Sequence, residues 1–142
     1  MFSLAVLAAS AFAQDDVLST PAVRAQMSKL YRTALLSYVG FSDLEHSFTV
    51  KADGMPNGIH STNDFRHDFL EMVVGEDIAI VHTHPARTRP DPSSDDVKVA
   101  VRLGVPNYVM SQFVLWVALP DGTTRKVAEL QWKHGDVVLR RP

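Results

Sequence analysis

Apolar residues recur at helical spacing after Pro21: Val23, Met27, Leu30, Tyr31, Ala34, Leu35 and Tyr38 form one stripe between polar positions. The spacing predicts a helix that begins at Ser19-Thr20-Pro21, runs through Val39 and stops at Gly40. From Glu45 the period changes to two. Glu45-His46-Ser47-Phe48-Thr49-Val50-Lys51 alternates as a strand does, and Ala52-Asp53-Gly54 turns it toward a short partner at residues 58–61. A second helix is expected over residues 64–74, with Phe65, Phe69, Met72 and Val73 on its inner side. Asp77-Ile78-Ala79-Ile80-Val81 is apolar and β-branched and predicts a buried strand.

The second half follows the same logic. Ser94–Leu103 reads as a helix packing through Val97, Ala100, Val101 and Leu103, and Gly104-Val105-Pro106 ends it. Strands are expected at Asn107–Met110 and residues 113–119. Pro120-Asp121-Gly122 turns the chain into a strand at residues 126–132, and residues 137–139 add a terminal one. This order argues an α/β fold: a single-domain sandwich with a mixed β-sheet flanked by helices.

Composition narrows the setting. The chain has 142 residues, 46% hydrophobic and 21% charged, which suits one compact domain. A net charge of -2 without a basic block gives no reason to expect nucleic acid or an anionic membrane as partner. The first residues differ from the rest: Phe2 to Ser10 are mostly apolar, and Ala11-Phe12-Ala13 before Gln14 fits a cleavage site. A signal peptide over residues 1–13 and a mature domain over 14–142 are expected, hence a secreted or periplasmic protein. The apolar run is too short for a stable membrane span. The absence of cysteine decides nothing about compartment, but it removes thiol nucleophiles, and no G-x-S-x-G elbow offers a serine one.

The candidate chemistry lies at His82-Thr83-His84-Pro85, followed after seven residues by Ser93-Ser94-Asp95-Asp96. At the end of a strand, His82 and His84 project to one face because side chains alternate. Pro85 ends the strand, and Asp96 falls in the first turn of the next helix. Two imidazoles and one carboxylate leave tetrahedral zinc an open position, the arrangement of a catalytic rather than a structural site. Taken singly, an H-x-H pair is often a surface pair and S-x-x-D is a common helix cap; the combined spacing is far more specific.

This H-x-H-P-x7-S-x-x-D pattern resembles the signature of the JAMM (MPN+, JAB1/Mov34) metalloproteases, completely over residues 82–96 and only loosely over about residues 21–130. The resemblance implies a JAMM/MPN-like, cytidine-deaminase-like fold and one Zn2+ per chain, held by His82, His84 and Asp96. It implies that Ser93 helps hold an oxyanion and that a glutamate from an earlier strand acts as general base. Glu45, Glu71 and Glu76 precede the motif. Glu45 is the expected base because it opens an alternating strand, whereas Glu71 falls at a helix edge and Glu76 in a turn. Arg87 and Arg89, in the loop between the ligands, are candidates to clamp a substrate carboxylate.

The implied activity is hydrolysis of a peptide or isopeptide bond in a peptide or protein substrate, a cell-wall peptide among the candidates. The competing expectations are a non-catalytic, metal-retaining MPN-like binding module for a secreted partner protein, and an interaction protein in which the motif is coincidental. His46 and His60 are expected to be exposed or locally bonded, and His67 and His134 lack ligand spacing.

Overall fold

A computed structural model describes residues 17–36, 44–61, 76–85 and 88–141. The expected leader, the end of the first helix, the helix at residues 64–74 with Glu71 and His67, and Arg87 all lie outside the described residues. A 3-10 turn, Val17–Ser19, leads into helix α1, Pro21–Leu36. Strands β1 (His46–Lys51), β2 (His60–Ser61) and β3 (Asp77–Thr83) follow. Helix α2 (Ser94–Leu103) precedes β4 (Asn107–Met110), β5 (Val114–Ala118), β6 (Thr124–Lys133) and β7 (Asp136–Arg140).

These strands form one seven-stranded sheet in the order β2-β1-β3-β4-β5-β6-β7. The sheet is mixed, as expected: β3 and β4 run parallel, and every other neighbouring pair is antiparallel. Parallel neighbours need a crossover, and α2 supplies it between β3 and β4. No described helix is long and apolar enough to cross a membrane.

Strand alternation gives the sheet two unlike faces. Under α1, the buried residues Val23, Met27, Leu30, Tyr31 and Ala34 meet Phe48, Val81, Tyr108, Met110, Leu115 and Val117 in one apolar cluster. Tyr31 also stacks on Trp132, with ring centroids 5.5 Å apart, and its hydroxyl donates to the Gln112 carbonyl. Arg32 lies over the other ring of that contact, 5.7 Å from the Trp132 centroid. The opposite face carries Ser47, Ile80, His82 and Asn107, and α2 packs on it over β4 and β5.

Helix α2 packs less than its sequence promised. Ala100 is buried, but Val101 is 51% exposed, so Val101 does not belong to the packing face. The packing stripe is narrow: Ala100 is its one buried residue, and Val97, Val99 and Leu103 are partly buried. The ends of α2 are as predicted: Ser93 is the N-cap, and Gly104 closes the helix at φ 68, donating its N–H to the Ala100 carbonyl.

Several strand boundaries move by one or two residues: β1 begins at His46, β2 at His60, β5 is Val114–Ala118 and β7 is Asp136–Arg140. Phe113 is 70% exposed and precedes β5 rather than opening it, although its carbonyl accepts the Leu130 N–H of β6. Strand β6 is longer than expected, since it pairs with β5 at one end and with β7 at the other. The β6–β7 turn is His134-Gly135, both at positive φ (52 and 86), the backbone of a two-residue hairpin matched to the sheet twist.

Candidate metal centre

Three side chains from two elements converge on one point. Strand β3 delivers His82 at its end and His84 just beyond it, and the helix cap delivers Asp96. His82 Nε2 lies 3.1 Å from Asp96 Oδ1, and His84 Nε2 lies 3.0 Å from Asp96 Oδ2. One ligand atom from each residue falls within 4.8 Å of the other two. Both imidazoles are buried, at 5% and 7% exposure. The three residues singled out by spacing are therefore brought together, and they could hold a metal ion.

The outward ring nitrogens strengthen that fit. His84 Nδ1–H donates to the Arg89 carbonyl at 2.9 Å, a partner that can only accept. His82 Nδ1 lies 2.9 Å from Asn107 Oδ1. The Asn107 amide nitrogen donates to the Asp96 carbonyl at 3.3 Å, which leaves its oxygen turned to His82 as acceptor. With both Nδ1 atoms donating outward, both Nε2 atoms face the common point. Metal-binding histidines are held in this way.

Electrostatics at the site follow from burial and proximity. Burial opposes ionisation of Asp96, but the charge and hydrogen bonds of His82, then those of His84, outweigh it and hold the carboxyl far below its usual range. Burial likewise disfavours protonated His82. Asp96 first, then the charge of Glu45 and the Asn107 hydrogen bond, reverse that and raise the imidazole above its ordinary value.

Ser93 builds the cap rather than standing apart from the ligands. Its hydroxyl donates to Asp96 Oδ2 at 2.7 Å and accepts the Asp96 N–H at 3.1 Å, while its own N–H donates to the same Oδ2 at 2.6 Å. The capping box thus aims Asp96 at the histidines. An oxyanion contact from Ser93 requires its hydroxyl to exchange that partner.

Glu45 lies immediately before β1 and is partly buried. In the β1–β3 ladder Ser47 pairs with His82, and Glu45 lies two residues before Ser47, at the end of β1 nearest the histidines. There the His46 N–H donates to the Thr83 hydroxyl at 3.0 Å. Glu76 is exposed and its carbonyl accepts the Ala52 N–H at the far end of β3, away from the histidines.

Arg89 grips Asp91 through two hydrogen bonds, Nε to Oδ1 at 3.0 Å and Nη2 to Oδ2 at 2.9 Å, which lowers the Asp91 pKa and raises that of Arg89. The pair borders a cavity of about 410 Å³ beside His84, also lined by Thr88, Pro92, Ser93 and Ser94. Of the remaining histidines, His60 is exposed. His46 is buried on the α1 face and shares a 2.6 Å hydrogen bond with Ser61.

Asn107 and the Arg89 carbonyl are the contributors that sequence reasoning missed. A polar residue heading the apolar strand Asn107–Met110, just after the helix stop, was the one available signal for Asn107. Comparison with protein-family models, curated proteins and solved structures gave no match. The functional reading therefore rests on the geometry.

Proposed function

We propose that the chain is a zinc-dependent hydrolase of peptide or isopeptide bonds, of the type its JAMM resemblance implies. The observation that carries this reading is the convergence of His82 Nε2, His84 Nε2 and an Asp96 oxygen within 4.8 Å, with both Nδ1 atoms bonded outward. His82, His84 and Asp96 would hold a zinc ion there, which would supply a Lewis acid able to bring the pKa of water to about 7.

Glu45 is the proposed general base: its carboxylate accepts a proton from the attacking water and returns it to the leaving amine nitrogen. Its place just before β1, whose Ser47 pairs with His82, and its influence on His82 support that role. The cavity beside His84 receives one flank of the substrate, with Arg89 at its mouth. Export, with removal of residues 1–13, belongs to the same proposal and is tested by N-terminal sequencing of the protein recovered outside the cytoplasm.

The metal-retaining binding module keeps one supporting observation. The Ser93 hydroxyl is bonded to Asp96, so a mere binding pocket would look the same on that side. Two measurements separate the readings. Elemental mass spectrometry should find about one zinc per chain and none in Asp96→Ala. A peptide-library cleavage assay should then show turnover that Glu45→Gln lowers by roughly 10²–10⁴-fold with the zinc retained. Zinc without cleavage of any peptide selects the binding module, and no zinc in the native protein refutes both readings.

A further inference from the structure

Asn107 stands where an apolar side chain is expected. It is 3% exposed, and its register partners on either side are Ile80 in β3 and Ala118 in β5, both buried. Burying an amide there is unfavourable unless both of its ends are bonded. Both are bonded, and to the two elements that carry the metal-ligand residues. The oxygen faces His82 Nδ1 at 2.9 Å, and the nitrogen donates to the backbone carbonyl of Asp96 at 3.3 Å. The side chain therefore bridges the end of β3 and the first turn of α2 from a third element.

Each half of the bridge does separate work. The oxygen sets the plane of the His82 ring and leaves Nε2 facing Asp96. The nitrogen ties down the helix turn whose side chain answers it. A leucine could fill this space but would make neither bond. An aspartate would keep an acceptor toward His82 but lose the donor, and would add a negative charge beside the Asp96 carbonyl. His84, by contrast, takes its acceptor from the backbone, so among the described residues Asn107 is the side chain through which the orientation of a metal-ligand histidine can be altered without touching a ligand.

We propose that Asn107 is the positioning residue of the metal centre: its carboxamide orients His82 and holds the Asp96 turn, and through both it sets the affinity and geometry of metal binding. This inference rests on the metal-binding part of the reading above and is independent of whether the chain hydrolyses anything.

The test uses the full chain loaded with zinc or cobalt(II), with affinity measured by chelator competition and geometry by the visible absorption of the cobalt form. Asn107→Leu should weaken zinc binding about 10–100-fold and shift the cobalt bands, and the exchange-protected Nδ1–H proton resonance of His82 should be lost. Asn107→Asp should keep that proton resonance and recover part of the affinity. If the leucine variant fails to fold, Asn107→Ala carries the same expectation. A folded leucine or alanine variant with native zinc affinity and unchanged cobalt bands overturns the proposal and leaves Asn107 a packing residue. Native zinc binding without peptide cleavage defeats the hydrolase reading alone. A native chain that holds no zinc defeats the metal site and this proposal together.

Discussion

The two faces of the sheet share strands but solve opposite problems. Under α1, neighbouring strands contribute Phe48, Val81, Tyr108, Met110, Leu115 and Val117, and nearly all their polar atoms belong to the backbone ladder. Under α2, the alternate residues of the same strands include Ser47, His82 and Asn107, which are buried yet polar. The first face gains stability from apolar area removed from water, without directional demands. The second places side chains by hydrogen bonds, each needing a partner at the right angle.

Exchanging the type of damage between the faces tests that division. The largest effect is expected from His84→Ala, which removes one of three metal-ligand residues. Zinc content should drop from about one per chain to none, while circular dichroism remains native. Retention of stoichiometric zinc would contradict the assigned ligand set.

On the opposite face, Phe48→Ala should lower the unfolding free energy by about 3–5 kcal/mol, read by urea denaturation. Its effect on zinc affinity in the folded fraction should be minor. A loss of zinc without loss of stability would mean that the faces are not separable in this way.

An intermediate effect concerns pH, and its sign reverses between the metal-free and loaded forms. In the metal-free chain the raised His82 contributes stability that is fully present below the ordinary imidazole value of 6.5 and lost as pH rises through its higher folded value. The depressed Asp96 contributes stability that is present above the ordinary carboxylate value of 3.8 and declines as pH falls below it. The metal-free melting temperature should therefore be highest between these values and fall on the alkaline side. Zinc requires neutral imidazoles, so its affinity should rise over that same alkaline range. Melting curves with and without zinc across pH should diverge; parallel curves would mean that protons and metal do not compete for this site.

The smallest effect is expected at Val101→Ser. Because Val101 is half exposed on α2, unfolding should change by no more than about 0.5 kcal/mol and zinc affinity not measurably. A large loss would reveal that α2 packs more heavily than Ala100 alone.

Much of this arrangement was legible in the sequence because it is local. Two-residue alternation put His82 and His84 on one face, and the S-x-x-D cap put Asp96 in the first helical turn. The α1 stripe, the Gly104 stop and the succession of strands also follow from spacings of a few residues. The exposure of Val101 was not legible, because an apolar residue on a helix does not announce how broad its contact stripe is. The Arg89 pairing was missed because an arginine two residues from Asp91 can equally point to a substrate. The burial of His46 depends on β1 lying inside the sheet, between β2 and β3.

By itself the sequence determined an α/β chain with a mixed sheet and a His-His-Asp set at a strand end and helix cap. These depend on covalent spacing and local backbone preference. Only the tertiary structure decided that Asn107, twenty-five residues from His82, bonds its ring. It alone paired Ser47 with His82, which puts the start of β1 beside the histidines, and gathered the apolar cluster under α1. Those facts depend on strand order and register. Both are set by which surfaces pack against α1 and α2, and neither is recorded in the spacing of residues along the chain.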